Sequence, residues 1–441
     1  MRRVAFVSYY FPPIGGAGAQ RPARFVRYLR EHAWDPIVVT GPGPAEGRWT
    51  PRDEALLADI PPDVEIRRVS GPEPPHSIGW TARAERWFGN ETPWARWWFD
   101  GAVAAGAGLE DVDLVYAWMS PFESATAAAE LSRRLGTPWV ADFGDPWALD
   151  EMMVYPTRWH RARERRRMRD ALASAGAVVM STPDAVRRVR ESIHELDGTE
   201  VLSIPNGFDR SDFEQPMEPR RDGAFRIVHT GYLHTELGLR QRHHALFKRA
   251  LGGTIPGVDF LTRSHVFLLE AVAEVLESDP EAASVLEVHL AGVVSDSDRR
   301  AAAGSSAVRM PGYLSHDRTL ELLRTADLLF LPMQDLPLGI RAGIVPGKTY
   351  EYLGSGRPIL AAVPDGDARD LLTEAGSAFL CRPGDVDCMA RAIAAQLERF
   401  RAGEATQVPR PEVVARYEYR ALTARLAQVF DRVVESNREP A

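Results

Sequence analysis

A chain of 441 residues is too long for one ordinary hydrophobic core and suits two domains. Its 45% hydrophobic and 26% charged residues are those of a soluble globular protein, and a formal net charge of -8 argues against nucleic acid as the main partner. Two cysteines, Cys381 and Cys388, have no histidine nearby and make neither a disulfide framework nor a zinc pattern, so a reducing compartment is expected. No run approaches the roughly 20 apolar residues that span a bilayer. The opening run Val4–Phe11 is short and ends in FPPIGG, without the cleavage pattern of a signal peptide.

In chain order, RRVAFVSYYFPP reads as a first buried strand, followed by the loop GGAGAQ and an amphipathic helix with Phe25, Val26 and Leu29 on one face. Gly15, Gly16 and Gly18 let a ligand approach the backbone closely, or serve a turn with only a structural duty. The loop is not the G-x-G-x-x-G of a dinucleotide site. Pro36–Pro42 and Val64–Ser70 are the next strands. Between Pro72 and Asp100 stand Trp80, Trp87, Trp94, Trp97 and Trp98. They read first as core packing, otherwise as a stacking platform for sugar rings or a patch resting on lipid. Asp111–Pro121 is a strand that exits into a Ser-Pro turn, and an alanine-rich helix then ends near Gly136. Thr137–Trp147 is a strand ending in a loop with two carboxylates, Asp142 and Asp145. Ligands of open α/β sheets sit at strand C-termini, so both are candidates for chemistry; a helix cap or Asx-turn is the plain alternative for one of them. Arg158–Arg169 is a basic helix, either a solvated face or one that sits on anionic headgroups. Ala175–Val186 and Val201–Gly207 close the first domain with two more strands.

Residues 215–223, QPMEPRRDG, read as a linker between a first domain over 1–214 and a second over 224–410, with a terminal helix within 411–441. His243–His244 has no carboxylate or cysteine at metal spacing. Arg263 precedes an amphipathic helix, and Arg240 and Lys248 are lesser cations of the same segment. Leu286–Gly292, Val308–Pro332 and Ser377–Leu397 continue the strand–helix alternation. The most informative stretch is PGKTYEYLGSGRP, Pro346–Pro358, set between the apolar runs Leu328–Met333 and Pro358–Pro364, which have the length of buried parallel strands. Its short helix carries Lys348, Glu351 and Tyr352 near the start, where backbone N–H groups and the dipole favour a diphosphate. Glu351 suits hydroxyls that donate hydrogen bonds, so together they describe a nucleotide sugar. The plain alternative is an exposed i, i+3 ion pair between Lys348 and Glu351. GIVPGKT approaches the phosphate-loop pattern but has Ala342 where its first glycine is required. D-x-D matches at Asp111, Asp296, Asp365 and Asp385 are cheap among 61 acidic residues, and no metal is expected.

PGKTYEYLGSGRPILA resembles the nucleotide-sugar loop and helix of glycosyltransferase family 4, retaining enzymes of the GT-B fold. That fold has two Rossmann-like α/β domains facing each other across a cleft, with a C-terminal helix crossing back to the first. IPNGFD (Ile204–Asp209) resembles the end of the family's first domain and HTGYL (His229–Leu233) the start of its second. Many members carry two glutamates eight positions apart; only Glu351 is here, with Gly343 at the partner position. The resemblance implies transfer from a nucleoside diphosphate sugar to a hydroxyl on a glycan, a lipid-linked molecule or a small molecule. Arg263, Lys348 and the amides around Val345, Pro346 and Gly347 would meet the diphosphate. Gly15, Gly16, Gly231 and Tyr352 would line the donor, and Glu351 would hold its hydroxyls. Asp145 matches the position set against the donor sugar, with Asp142 close enough to keep the choice open. No cofactor beyond the co-substrate is implied. The location implied is cytoplasmic, with peripheral contact at the inner membrane face as an extension. A sugar-nucleotide epimerase or hydrolase of the same fold, and a non-catalytic nucleotide-sugar-binding partner, are the alternatives.

Overall fold

The computed structural model describes residues 1–43, 52–89, 91–214, 220–243, 255 and 257–438. The chain divides into two compact units, one of residues 1–207 together with the segment from Tyr419 onward, the other running from Phe208 to Glu418. The division falls before the expected linker, of which residues 215–219 lie outside the described residues. Pairing explains the difference: the Phe208 amide donates to the Tyr417 carbonyl at 3.0 Å, and Arg210 pairs with Glu418, so IPNGFD is split after its glycine. The expected terminal segment 411–441 is split as well. Its first turn, Pro411–Val414, stays with the second unit.

The first unit contains β1 (Arg2–Ser8), α1 (Ala17–Tyr28), β2 (Trp34–Thr40), β3 (Glu65–Arg68), α2 (Gly79–Phe88), α3 (Pro93–Gly106), β4 (Leu114–Trp118), α4 (Ser124–Leu135), β5 (Trp139–Phe143), α5 (Arg158–Leu172), β6 (Ala177–Met180), α6 (Pro183–Ser192) and β7 (Glu200–Ser203). Its seven strands run parallel in the order β3-β2-β1-β4-β5-β6-β7. The second unit contains β8 (Phe225–Thr230), α7 (Thr235–His243), α8 (Val266–Ser278), β9 (Leu286–Ala291), α9 (Asp296–Ala302), β10 (Val308–Gly312), α10 (His316–Arg324), β11 (Leu328–Pro332), α11 (Lys348–Gly354), β12 (Ile359–Ala362), α12 (Asp367–Ala375), β13 (Ala378–Cys381) and α13 (Val386–Arg401). Its six strands are also parallel, in the order β10-β9-β8-β11-β12-β13. The chain therefore has two Rossmann-like α/β units. In each, strand order reverses once, between β1 and β4 and between β8 and β11, and open sheets bind ligands at the carboxyl ends of such neighbours.

Local sequence explains the elements. Strands β4, β5, β6, β11 and β12 are buried along their whole length, because helices cover both faces of a parallel sheet and no polar alternation is needed. Helices α3 and α6 begin with Thr as N-cap and Pro in the first turn, each Thr side chain accepting a backbone N–H; such a cap contributes about 1 kcal/mol. Trp94 and Trp98 of α3 are buried with Tyr9 between their rings, so core packing accounts for them. Trp80 and Trp87 of α2 are exposed and are not core residues.

The C-terminal helix α14 (Tyr419–Arg438) returns to the first sheet, as the fold class requires. Phe430 packs edge-on against Trp34 at 5.3 Å, Tyr419 against Phe25 at 5.8 Å, and Asp431 pairs with Arg2 at 2.6 Å. One expectation is overturned in the second unit. Cys381 and Cys388 form a disulfide with Cα atoms 5.8 Å apart, because the turn after β13 brings the first turn of α13 back beside the strand end.

Candidate functional site

The second unit gathers its chemistry where β8 and β11 part. His229, near the end of β8, is buried, with Nδ1 at 2.9 Å from the Phe330 carbonyl of β11 and Nε2 at 3.2 Å from Lys348 Nζ. A carbonyl only accepts, so Nδ1 carries the proton and Nε2 offers its lone pair to the Lys348 ammonium. Burial, and then the Lys348 charge, hold the imidazole well below its usual range, so it stays neutral. Lys348, half-buried at the start of α11, is itself pushed down to about 7 by desolvation first and by Arg263 second, with Glu351 opposing. Arg263 is thus held close enough to depress Lys348. An anion placed beside both would relieve that repulsion.

Backbone geometry makes room for it. Gly231 ends β8 with φ +97, and a Cβ there would stand 3.0 Å from Lys348 Nζ. A Cβ on Gly292, at the end of β9, would meet the Gly231 carbonyl oxygen at 2.4 Å. Only glycine fits either position, so the two strand ends approach backbone to backbone directly under the lysine. Arg263 stands just before α8, half-buried, with Nη1 at 3.5 Å from Oε1 of the buried Gln334 that follows β11. Glu351 lies one turn after Lys348 and is half-buried.

Part of the expected donor set takes a different role. Tyr352 is buried, and its hydroxyl accepts the Thr230 amide at 3.0 Å; it ties α11 to β8, a structural role in place of the donor contact expected of it. Val345 and Pro346 are buried and Gly347 is exposed. The amides of Thr349 and Tyr350 are taken by the carbonyls of Pro346 and Gly347 at 2.9 and 3.1 Å, so the start of this seven-residue helix offers fewer N–H groups than expected. His229 and Gly292 are not among the residues that the sequence marks as a site. Their only sequence signals are a polar residue inside the apolar run FRIVHT and a glycine closing LEVHLAG.

In the first unit the two carboxylates after β5 separate. Asp142 is fully buried, and Arg21 of α1, also buried, grips it in a fork: Nε to Oδ2 and Nη2 to Oδ1, both at 2.9 Å. Tyr116 donates its hydroxyl to the same carboxylate, and burial, then the Asp142 charge, hold that phenol protonated. Arg21 also donates to the carbonyls of Ile204 and Pro205 at 2.9 and 2.7 Å, locking the IPNG loop to α1 and β5. Asp142 is therefore a core anchor, and the expectation that it does chemistry is corrected. Asp145 is exposed beyond the strand end. Its carbonyl accepts from the Trp147 amide at 2.8 Å, while the turn Trp147–Leu149 has Pro146 as N-cap and takes no side-chain cap. Trp147 sits at φ 43, a costly angle for a bulky residue, with its ring stacked on Phe122 at 4.9 Å. Gly15 is buried and Gly16, φ 89, is the N-cap of α1; both follow β1 at its carboxyl end.

The acidic D-x-D sites have other partners. Asp113 accepts the Arg3 amide, Asp298 completes a capping box in α9, Asp367 pairs with Arg341, and Asp385 caps α13. Lys248 and His244 lie outside the described residues. Arg240 is exposed on α7, beside Glu236 at 3.8 Å.

Residues 260–399 match the family model described as Glycosyl transferases group 1. The chain is a glycosyltransferase, with that domain in its second unit. The match spans Arg263, Gln334, Lys348 and Glu351. No curated protein matches the chain. Solved structures match it over its whole length at low identity. Sucrose-phosphate synthase from Thermosynechococcus elongatus aligns at TM-score 0.63 and 13% identity, covering 99% of this chain and 100% of that one. HepE from Anabaena, in complex with UDP-glucose, aligns at TM-score 0.54 and 15% identity over 99% of both chains. UDP-GlcNAc 2-epimerase from Methanocaldococcus jannaschii aligns at 0.55 and 10% over 98% and 99%. These likenesses establish the GT-B architecture of the glycosyltransferase.

Proposed function

We propose that this glycosyltransferase moves a sugar from a nucleoside diphosphate donor to a hydroxyl acceptor with retention, as a family 4 enzyme. The observation that carries the reading is the cation pair at the switch point of the second sheet: Lys348, resting on neutral His229 over Gly231, and depressed by Arg263. The bond from the anomeric carbon to the diphosphate oxygen breaks, and both cations take up the charge that develops. The acceptor oxygen bonds the same carbon from the same face, and its proton passes to the departing diphosphate. Glu351 holds ribose or sugar hydroxyls. Asp145 stabilises the oxocarbenium-like sugar or orients one of its hydroxyls. Two cations supply the countercharge, so the step needs no metal.

UDP-glucose is the first donor to try, because HepE was crystallised with it. The test is release of UDP that depends on an acceptor, with mass spectrometry of copurified ligand naming the sugar and base. Free sugar or an epimer formed without acceptor would instead identify a hydrolase or epimerase, and tight UDP binding without turnover a binding partner. Among the described residues, no helix is long and apolar enough to cross a membrane. The reading includes a cytoplasmic location with peripheral contact at the inner membrane face. A reducing compartment disfavours the Cys381–Cys388 disulfide seen in the structure, so counting free thiols by alkylation before lysis tests that location: two thiols are expected there, and an intact disulfide would overturn it.

A further inference from the structure

Every exposed tryptophan among the described residues lies on two neighbouring helices of the first unit. Trp80 (78% exposed) and Trp87 stand on α2, with Phe88 (70%) at its end and Ile78 just before it; Trp159 (71%) stands on α5. Trp80, Ala84 and Trp87 are spaced i, i+4, i+7 and share one face of α2, as Trp159, Arg163 and Arg166 share one face of α5. The two faces adjoin. The Trp87 carbonyl lies 2.9 Å from His160 Nε2 and accepts from Arg163 Nη1 at 3.4 Å, and the Trp87 and His160 rings are 4.9 Å apart.

Charge on this face runs against the rest of the chain. Helix α5 carries arginine at 158, 161, 163, 165, 166, 167 and 169, against Glu164 and Asp170, in a protein of formal net charge -8. Arg167 pairs with Glu164 and Arg169 with Asp170. Arg158, Arg165 and Arg166 are exposed and make no ion pair among the described residues. Exposed indole rings flanked by guanidinium groups on a paired-helix face match a bilayer surface: rings settle at the headgroup level, and guanidinium forks meet lipid phosphates. A nucleic acid would be repelled by the acidic remainder of the chain and would leave Ile78 and Phe88 in water.

We propose that the α2–α5 face is the membrane-docking surface, seating the first unit on a bilayer that contains anionic lipid. This deepens the peripheral-contact reading given above and rests on it. The test is co-sedimentation of the full chain with vesicles of phosphatidylcholine, with and without about one third phosphatidylglycerol, at low and high salt. Binding is expected only to the anionic vesicles and to fall with salt. Replacing Arg158 and Arg166 by Ser should weaken it about twenty-five-fold, at about fivefold for each arginine near an anionic surface. Adding Trp80→Ser and Trp159→Ser, both at solvent-facing positions, should abolish it. If the wild type binds and all variants bind as well, the α2–α5 assignment is overturned while peripheral contact stands. If the wild type binds neither vesicle, both fall together. Displacement from anionic vesicles by equimolar single-stranded RNA would also overturn the proposal, marking the face as a general polyanion binder.

Discussion

The most direct test of the donor site is the pH dependence of nucleotide binding. Lys348 is held at about 7, by burial and then by Arg263. A diphosphate beside it reverses the balance of charge and raises that value, so binding takes up a proton and strengthens as pH falls. Above about pH 7 a terminal phosphate, with its second ionisation near 6, is already fully charged, and the lysine is the group that titrates. From pH 7 to pH 8 its protonated share falls from about one half to about one eleventh, and Kd for UDP should rise about fivefold. Calorimetry at pH 8 in buffers of different ionisation enthalpy should find about nine-tenths of a proton taken up per nucleotide. Lys348→Met removes a charge-assisted bond of roughly 1.5–3 kcal/mol, raising Kd by about ten- to a hundred-fold, and makes the pH profile flat. A wild-type Kd that does not change between pH 7 and 8, or a Lys348→Met protein that binds UDP normally, would refute the assignment of the diphosphate to this lysine.

Three further outcomes are expected. Asp145→Asn should lower turnover by on the order of a hundredfold with donor affinity little changed, measured as separate kcat and Kd; full turnover removes this loop from the chemistry. Asp142→Asn leaves the Arg21 guanidinium buried without its counter-charge and should cost about 3–5 kcal/mol of stability in urea, whereas an unshifted midpoint would mean the fork is not an anchor. Gly231→Ala places a Cβ at positive φ and 3.0 Å from Lys348 Nζ, so it should cost about 1–2 kcal/mol and weaken UDP binding; binding equal to wild type would show that the lysine does not need that space.

The sheets were legible in the sequence because parallel strands covered on both faces are written as unbroken apolar runs. Leu328–Met333 and Pro358–Pro364 mark β11 and β12 within a residue or two. The turning of the chain was less legible. IPNGFD reads as a single motif, yet its backbone pairs divide it after Gly207, since the partner of Phe208 is Tyr417, a contact of very long sequence separation. The tryptophan-rich stretch failed as a unit for a similar reason. Trp94 and Trp98 meet Tyr9, whereas Trp80 and Trp87 belong to a different helix with no core above it, and composition alone does not distinguish the two helices.

In the site, residue type predicted chemistry, but only neighbours decide whether a side chain is available for it. Asp142 and Asp145 stand three positions apart at the end of one buried strand, with Phe143 and Gly144 between them. Asp142 occupies a ladder position of β5, opposite Trp118, so its side chain is directed into the layer beneath α1, where Arg21 and Tyr116 are waiting. Asp145 lies two residues past the end of β5 and is exposed. The same logic separates Lys348 from Tyr352, one turn apart on α11: the lysine extends over the end of β8 to Gly231, while the tyrosine is spent on the Thr230 amide. Strand register thus turns one of two equal candidates into an anchor and leaves the other at the edge. Accordingly the Asp142 and Asp145 substitutions should separate cleanly, the first reading out in stability and the second in turnover.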